Sequence, residues 1–329
     1  MRALVTGATG FVGGRLASEL NERGHNVRCL VRNRGRARSL ENAGLELHEG
    51  DVLDRDSLRG AGVGADVAFY LIHSMGRGGD RAGFAERERS AASNFATMAL
   101  DEGVGRVVYL GGLGDRPASE HLRSRAETAA LLGRQGPPLT YFRAGMVIGA
   151  HSAGYQILRH LVKRLPAMIA PAWLRNRTQP IAIDDVLAYL VQAAERPETE
   201  GSEVQIAGRD VITYGELIHM MADVLGIRRA PQVPVPLLSP KLSSLWIGLV
   251  TPVDAGVAQP LIESLAMETV VTDRAGLELF DVEPTTAAEA LRRAANEDEA
   301  NLVQAAKLGI RSTAGAAPEN SIASSSSDP

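Results

Sequence analysis

The chain has 329 residues, 45% hydrophobic and 22% charged, with a formal net charge of −4. That length predicts one large domain or two joined ones, and the composition is ordinary for a soluble globular protein. The acidic balance argues against a general basic field for nucleic acid. A single cysteine, Cys29, excludes an intrachain disulfide and fits a reducing, cytoplasmic setting.

The first residues carry the clearest pattern. Ala3-Leu4-Val5 reads as a short buried strand, and Phe11 to about Arg23 reads as an amphipathic helix. Between them stands Thr6-Gly7-Ala8-Thr9-Gly10-Phe11-Val12-Gly13, a T-G-x-x-G-x-x-G pattern. Gly7 permits the tight turn, Gly10 lets backbone approach a pyrophosphate, and Gly13 lets the helix pack close to the sheet. A strand before and a helix after the glycines predict a dinucleotide site, with the phosphates at the helix N-terminus. Gly7, Thr9, Gly10, Phe11, Val12 and Gly13 are the expected contacts.

Strand and helix signals then alternate. Asn26–Val31 is a second strand, followed by an Arg-rich segment to about Ala43. Leu45–Glu49 is a third strand, and Asp56–Gly60 a short helical turn. Asp66–Ile72 is a fourth, strongly apolar strand, followed by the glycine-rich loop Met75–Asp80. A helix runs from about Phe84 to Glu102, Arg106–Leu110 is a fifth strand, Ser119–Gln135 a helix, and Leu139–Ile148 a sixth strand. This alternation predicts an α/β fold with a doubly wound parallel sheet of Rossmann type, covered on both faces.

After Gly149 the texture changes. Tyr155–Leu165 reads as helix, and Thr178–Asp185 as an extended piece capping a helix at Asp184–Glu195. Glu203–Ala207 returns to the sheet as a seventh strand, and Tyr214–Leu225 is a helix. Pro231–Pro240, with four prolines, is extended or turning. Leu242–Val250 is either a buried helix or a lid touching a membrane surface or a hydrophobic substrate. Helix is expected over Thr285–Asn296 and through Glu299–Lys307, and a disordered tail over 312–329. The expected organisation is a nucleotide domain over 1–150, its sheet completed by about 178–208, and a smaller, mostly helical substrate region over 151–311. No segment reaches the roughly 18 apolar residues of a membrane span, and Met1-Arg2 leads straight into a strand, so no signal peptide is expected.

The residues resemble the short-chain dehydrogenase/reductase superfamily, in its extended, atypical and NmrA-like branches. The resemblance rests on Thr6–Gly13, Gly50-Asp51-Val52 and Arg143-Ala-Gly-Met-Val-Ile-Gly149. A bacterial atypical subgroup has similar versions of Tyr70-Leu-Ile-His-Ser-Met-Gly76, His121-Leu-Arg-Ser-Arg125 and Arg177-Thr-Gln-Pro-Ile-Ala182. The resemblance implies Asp51 and Val52 beside an adenine, and Leu71, Ile72 and His73 along the nicotinamide half.

An NAD site usually has an acidic residue after the second strand, on the ribose 2′-hydroxyl. Here Arg32 stands there, followed by Arg34, Arg36 and Arg38. Guanidinium groups, chiefly Arg32 and Arg36, would bind a 2′-phosphate, so NADP(H) is favoured over NAD(H). The alternative is a solvated basic face with only Arg32 near the ligand.

Working members of the superfamily use a serine and a Tyr-x-x-x-Lys pair. This chain has Leu110-Gly-Gly-Leu-Gly114 where the serine is expected, and His121 and Arg125, four apart, where the pair is expected. Two readings compete. In one, His121 is the proton donor and Arg125 a fixed cation on the ribose or a substrate oxygen. In the other they only bind. His73 is a second donor candidate or a loop-ordering hydrogen bonder. Met75, Arg143, Tyr155 and Arg177 are candidate substrate contacts, Arg177 alternatively a helix cap. Met146, Ile148, Trp173 and Trp246 add apolar character. No Cys pair, H-E-x-x-H, G-x-S-x-G or G-x-x-x-x-G-K-[ST] run is present, so no metal is expected.

The expected function is therefore an NADP(H)-dependent oxidoreductase for a small hydrophobic carbonyl or quinone-like compound. The alternative is a non-catalytic NAD(P)H-binding redox sensor or accessory protein with no substrate, and a weaker one is a nucleotide-sugar epimerase or dehydratase. No nucleic-acid partner or transmembrane segment is expected, and the oligomeric state is left open.

Overall fold

The computed structural model describes residues 1–72, 81–114, 120–164, 168–170, 172–229, 232–234, 265 and 267–307. Five strands arise in the first 112 residues: β1 (Arg2–Thr6), β2 (Asn26–Val31), β3 (Glu46–Glu49), β4 (Val67–Tyr70) and β5 (Arg106–Gly112). β6 (Leu139–Ala144) follows, and then β7 (Val147–Ile148), β8 (Met168–Ala170), β9 (Arg177–Thr178) and β10 (Ile181–Ala182). β11 (Glu203–Ile206), β12 (Ile212–Thr213) and β13 (Gln232–Pro234) are the last strands among the described residues. Among the described residues the helices are α1 (Phe11–Glu22), α2 (Arg38–Asn42), α3 (Arg81–Asp101), α4 (Glu120–Gln135), α5 (Ala153–Arg164), α6 (Ile183–Glu195), α7 (Tyr214–Val224) and α8 (Ala287–Lys307).

Seven strands form one sheet in the order β3-β2-β1-β4-β5-β6-β11, parallel at every pairing. Apart from the edge strand β3, these strands are almost wholly buried, so they read as continuous apolar runs. Leu16, Ala17 and Leu20 of α1 pack with Val186, Tyr189 and Leu190 of α6 on one face. Phe95 and Ala96 of α3 and Leu132 of α4 cover the other. Strand order reverses direction between β1 and β4, which places a crevice at the C-terminal ends of those two strands.

The remaining elements build a second apolar cluster from α5, α7 and α8, with Trp173 and Tyr214 in edge contact. Three two-stranded pieces accompany it: β7 with β10, β8 with β13 and β9 with β12.

Several boundaries differ from the sequence reading. Leu139–Ile148 is two strands in two sheets. A β-carbon on Gly145 would overlap the Gln179 carbonyl, so the chain bends there past Arg177–Ile181, and Ile181 N–H donates to Met146 O at 2.9 Å. The helix expected at Asp184 starts at Ile183 without a side-chain cap. Asp185 instead accepts from Thr285, from N–H at 2.7 Å and from Oγ1 at 2.8 Å. The C-terminal helix starts at Ala287, two residues later than expected, and runs on through Lys307 as expected. The Met75–Asp80 loop, Leu242–Val250 with Trp246, and the 312–329 tail lie outside the described residues.

Candidate active site

The cradle is built where β1 meets β4. Thr6 Oγ1 donates to Phe69 O at 2.9 Å and accepts from Leu71 N–H at 3.0 Å, tying the two strand ends together. Gly7 has φ +65°, and a β-carbon there would lie 2.6 Å from Leu71 O. Gly10 N–H donates to Gly7 O at 2.8 Å, and a β-carbon on Gly13 would overlap that same carbonyl. The glycines therefore fold the loop back against the first turn of α1.

That first turn has no side-chain cap and no acidic residue. Helix starts leave N–H groups needing acceptors, and a pyrophosphate supplies them where the dipole favours negative charge. The loop thus fits a dinucleotide phosphate. Arg15 backs it: the guanidinium lies 4.4 Å over the Phe11 ring and pairs with Glu297 of α8. Thr9 is exposed in the turn.

At the end of β2 the arginines separate. Arg34 is bound to Glu41 at 2.6 Å. Arg32, Arg36 and Arg38 are exposed and make no ion pair among the described residues. At the end of β3, Asp51 N–H donates to Ser57 Oγ at 2.9 Å, and its carboxylate accepts from Leu53 N–H at 3.0 Å. Val52 is buried, and its carbonyl accepts from Asn94 Nδ2. These groups are fixed by the loop itself.

A cavity of about 400 Å³ runs from the glycines into the second cluster, within the roughly 300–1,000 Å³ usual for ligand pockets. Gly7, Gly10, Phe11 and Leu71 line one end. Leu158, Leu161, Trp173, Ile218 and Leu265 line the other. Arg125 lies between, on α4 beside Gly112, and its Nε is buried with no hydrogen-bond partner. A β-carbon on Gly112 would lie 2.7 Å from Leu122 Cδ2, so Leu122 fills the space a serine side chain there would need.

The far wall is closed by a segment distant in sequence. Thr178 Oγ1 bonds Thr269 Oγ1 at 2.9 Å, and Tyr214 Oη bonds Thr269 Oγ1 at 3.2 Å, all three buried. Burial pushes the Tyr214 phenol up, partly offset by its hydroxyl bonds. Gln179 and Gln205 hold the next residues: Val271 N–H donates to Gln179 Oε1 at 3.0 Å and Thr272 N–H to Gln205 Oε1 at 2.9 Å. Asn176 Nδ2 donates to Leu265 O at 2.8 Å.

The other sequence candidates lie elsewhere. Arg143 turns away from this cavity, pairing with Glu203 at 3.2 Å and donating to Gly114 O. Arg177 is exposed and clamps Glu268 through two bonds, 2.9 and 2.7 Å. Tyr155 is fully buried in the second cluster, where burial pushes its phenol up to about 12. Ile72 packs against the α3 side of the sheet. His73 and Met75 lie outside the described residues, as does the side chain of His121, whose backbone is in α4. Sequence reasoning missed Thr6, Leu122, Tyr214 and Thr269. Only Thr6 carried a signal, a polar residue ending an apolar strand.

Among the described residues no cluster would hold a metal, and no helix is long and apolar enough to cross a membrane. Sheet order, glycine cradle and crevice define an NAD(P)-binding Rossmann protein. Residues 7–164 match a family described as NAD(P)H-binding. A Synechocystis sp. protein, provisionally named a dihydroflavonol 4-reductase, is 27% identical over 274 residues, 74% of this chain and 77% of that one. An isoflavone reductase homolog of Zea mays is 25% identical over 232 residues, 67% and 72% of the two chains. Triphenylmethane reductase of Citrobacter sp., solved with NADP(H), shares the fold with a TM-score of 0.68 at 16% identity, covering 89% of this chain and 100% of that one. Residues 7–164 are thus similar to an NAD(P)H-binding family, and over two thirds or more of its length the chain is similar to proteins named as reductases.

Proposed function

We propose that the protein is an NADP(H)-dependent reductase of a small hydrophobic carbonyl or quinone-like compound. The observation that carries this reading is the single cavity joining the glycine cradle to an apolar chamber. A cradle alone needs only a cofactor; a chamber opening from it needs a second molecule. The reductase names of the Synechocystis and Zea mays relatives support the same direction.

The first-turn amides of α1 would hold the pyrophosphate, Asp51 and Val52 would flank the adenine, and Leu71 would meet the nicotinamide half. Arg32 and Arg36 would take a 2′-phosphate, because Arg34 is already neutralised by Glu41. When bound, NADPH supplies the hydride. Arg125 then holds a substrate oxygen as a permanent cation, and His121, four residues earlier on α4, donates the proton that the reduced oxygen requires. The apolar walls exclude water. The substrate region in this reading is built from the described residues of 151–311 outside the sheet, in a soluble, cytoplasmic protein.

One observation favours a second reading. Leu122 fills the place of the serine, so the site lacks one part of the family's usual machinery, as a non-catalytic NAD(P)H sensor would. NADPH oxidation across hydrophobic ketones, aldehydes and quinones separates the two, with His121→Ala and Arg125→Ala beside the parent. The reductase reading expects turnover with at least one class, reduced about 10²-fold or more in His121→Ala. Tight NADPH binding with no turnover would assign the sensor.

A further inference from the structure

Arg125 is the one charged residue among the described residues lining the cavity. Its Nε is buried without a partner, and the guanidinium makes no ion pair among the described residues. Arginine does not shed its charge. The described phenols beside it do not compensate it either. Tyr109 and Tyr141 interact with Arg125, yet burial holds the Tyr141 phenol up near 12 and pushes Tyr109 up as well, so both stay neutral near pH 7. A permanent cation on an apolar cavity wall is best placed beside an anion. The other described side chains lining the cavity are apolar or carry hydroxyls (Ser152, Tyr214, Thr269), and none of them supplies an anion.

We propose that the ligand of this chamber is an apolar acid. Its carboxylate pairs with the part of the Arg125 guanidinium that lines the cavity, by the charge-assisted hydrogen bonds that guanidinium groups make with carboxylates. Its hydrocarbon or aromatic body fills the space between Leu158, Leu161 and Trp173. The inference deepens the reductase reading, and rests on it only in calling this ligand the substrate: an oxo acid with a bulky apolar body. The oxygen on Arg125 is then the carboxylate, and the reacting carbonyl is left to His121.

The test is calorimetric titration of the NADP⁺-loaded protein with 4-phenylbutanoate and with 4-phenylbutan-1-ol, which share an apolar body and differ in charge. The parent is expected to bind the acid at least tenfold more tightly. Arg125→Met should bring the two affinities together, and Arg125→Lys should keep part of the preference. NADPH affinity should be the same in all three proteins. Equal affinity of the parent for acid and alcohol overturns the proposal, and that arm needs no variant to fold. Loss of NADPH affinity in Arg125→Met and Arg125→Lys, in step with loss of the acid, also overturns it by assigning Arg125 to the cofactor. The titration involves no turnover. A protein that oxidises no NADPH but selects the acid refutes only the reductase reading, and a working reductase that does not select it refutes only the acid.

Discussion

Leu122 stands in the volume that a side chain on Gly112 would need, with Cδ2 2.7 Å from the position of a β-carbon there. That carbon is the far end of a flexible side chain, so Leu122 must change rotamer to admit a side chain at Gly112. Gly112→Ser is expected to cost no more than about 0.5–1.5 kcal/mol, the scale of displacing one side chain from its rotamer, without raising turnover. Leu122→Ala alone should cost about 2–5 kcal/mol. The double variant should lose less than the sum, because the two side chains contest one space. Urea unfolding of the three proteins checks this, and strictly additive losses would refute the packing conflict.

Gly10 and Gly13 separate binding from folding. A β-carbon on Gly13 would overlap backbone, whereas one on Gly10 would touch only Gly7 O, at 3.0 Å. Gly13→Ala is expected to lower the melting temperature sharply. Gly10→Ala should melt near the parent but lose at least tenfold in NADPH affinity, because its methyl group enters the phosphate approach. Thermal melts and fluorescence titration decide it; equal NADPH affinity in Gly10→Ala would move the pyrophosphate elsewhere.

Arg32→Ala and Arg34→Ala should behave differently. Arg34 is engaged by Glu41, so its loss should alter NADPH affinity by less than threefold. Arg32→Ala should weaken NADPH by roughly tenfold or more, the order of about 1.5–3 kcal/mol for a hydrogen bond to a charged group, and leave NADH nearly unchanged. Equal weakening of both nucleotides would refute the 2′-phosphate assignment.

The cavity's far wall ranks two neighbouring residues by burial. Arg177 and Glu268 form an exposed pair, worth about 0–1 kcal/mol. Thr178, fully buried, shares its hydroxyl with Thr269. Thr178→Val leaves that partner short of a bond and should cost about 1–3 kcal/mol. Arg177→Ala should cost less. Chemical denaturation measures both, and the reverse ranking would mean that the surface pair, not the hydroxyls, holds the wall.

Alkaline pH should weaken the fold through groups kept neutral by burial. The Cys29 thiol is pushed from 9.0 to about 12 by desolvation. Because its folded value lies above its unfolded one, the stabilisation is complete below pH 9 and disappears as pH rises toward about 12. Tyr141 and Tyr189, raised from 10.0 to about 12, join the loss one unit later. Unfolding free energy should therefore fall from pH 9 to 10 in the parent and less steeply in Cys29→Ala. Identical slopes would show that the thiol does not contribute.

Much of the sheet was legible because its strands are buried on both faces and so appear as unbroken apolar runs. Asn26–Val31 matches to the residue, and Glu203 to Ile206 enters the sheet as expected. Gly7 was legible for a related reason: its turn requires a residue without a side chain. What stayed hidden depends on partners far along the chain. Nothing local marks Gly145 as a bend, since its constraint is the Gln179 carbonyl. Asp185 looked like a helix cap because its bond to Thr285, 100 positions away, has no periodic signature. Arg143 and Arg177 looked like ligand cations for the same reason, as their carboxylate partners Glu203 and Glu268 cannot be paired from spacing. Tyr214 and Thr269 reach the chamber only through tertiary packing.

The hydroxyl contact between Thr178 and Thr269 spans 91 positions. The bonds that shape the cradle, Thr6 to Phe69 and Gly10 to Gly7, close within the first 71 residues. Contacts of greater separation form later, and a growing chain orders its N-terminal part first. A nascent chain would accordingly acquire its nucleotide cradle while the chamber still lacks a wall. NADP(H) present during synthesis would then act on the half-made protein and favour the compact form, whereas the second ligand can stabilise only the finished one.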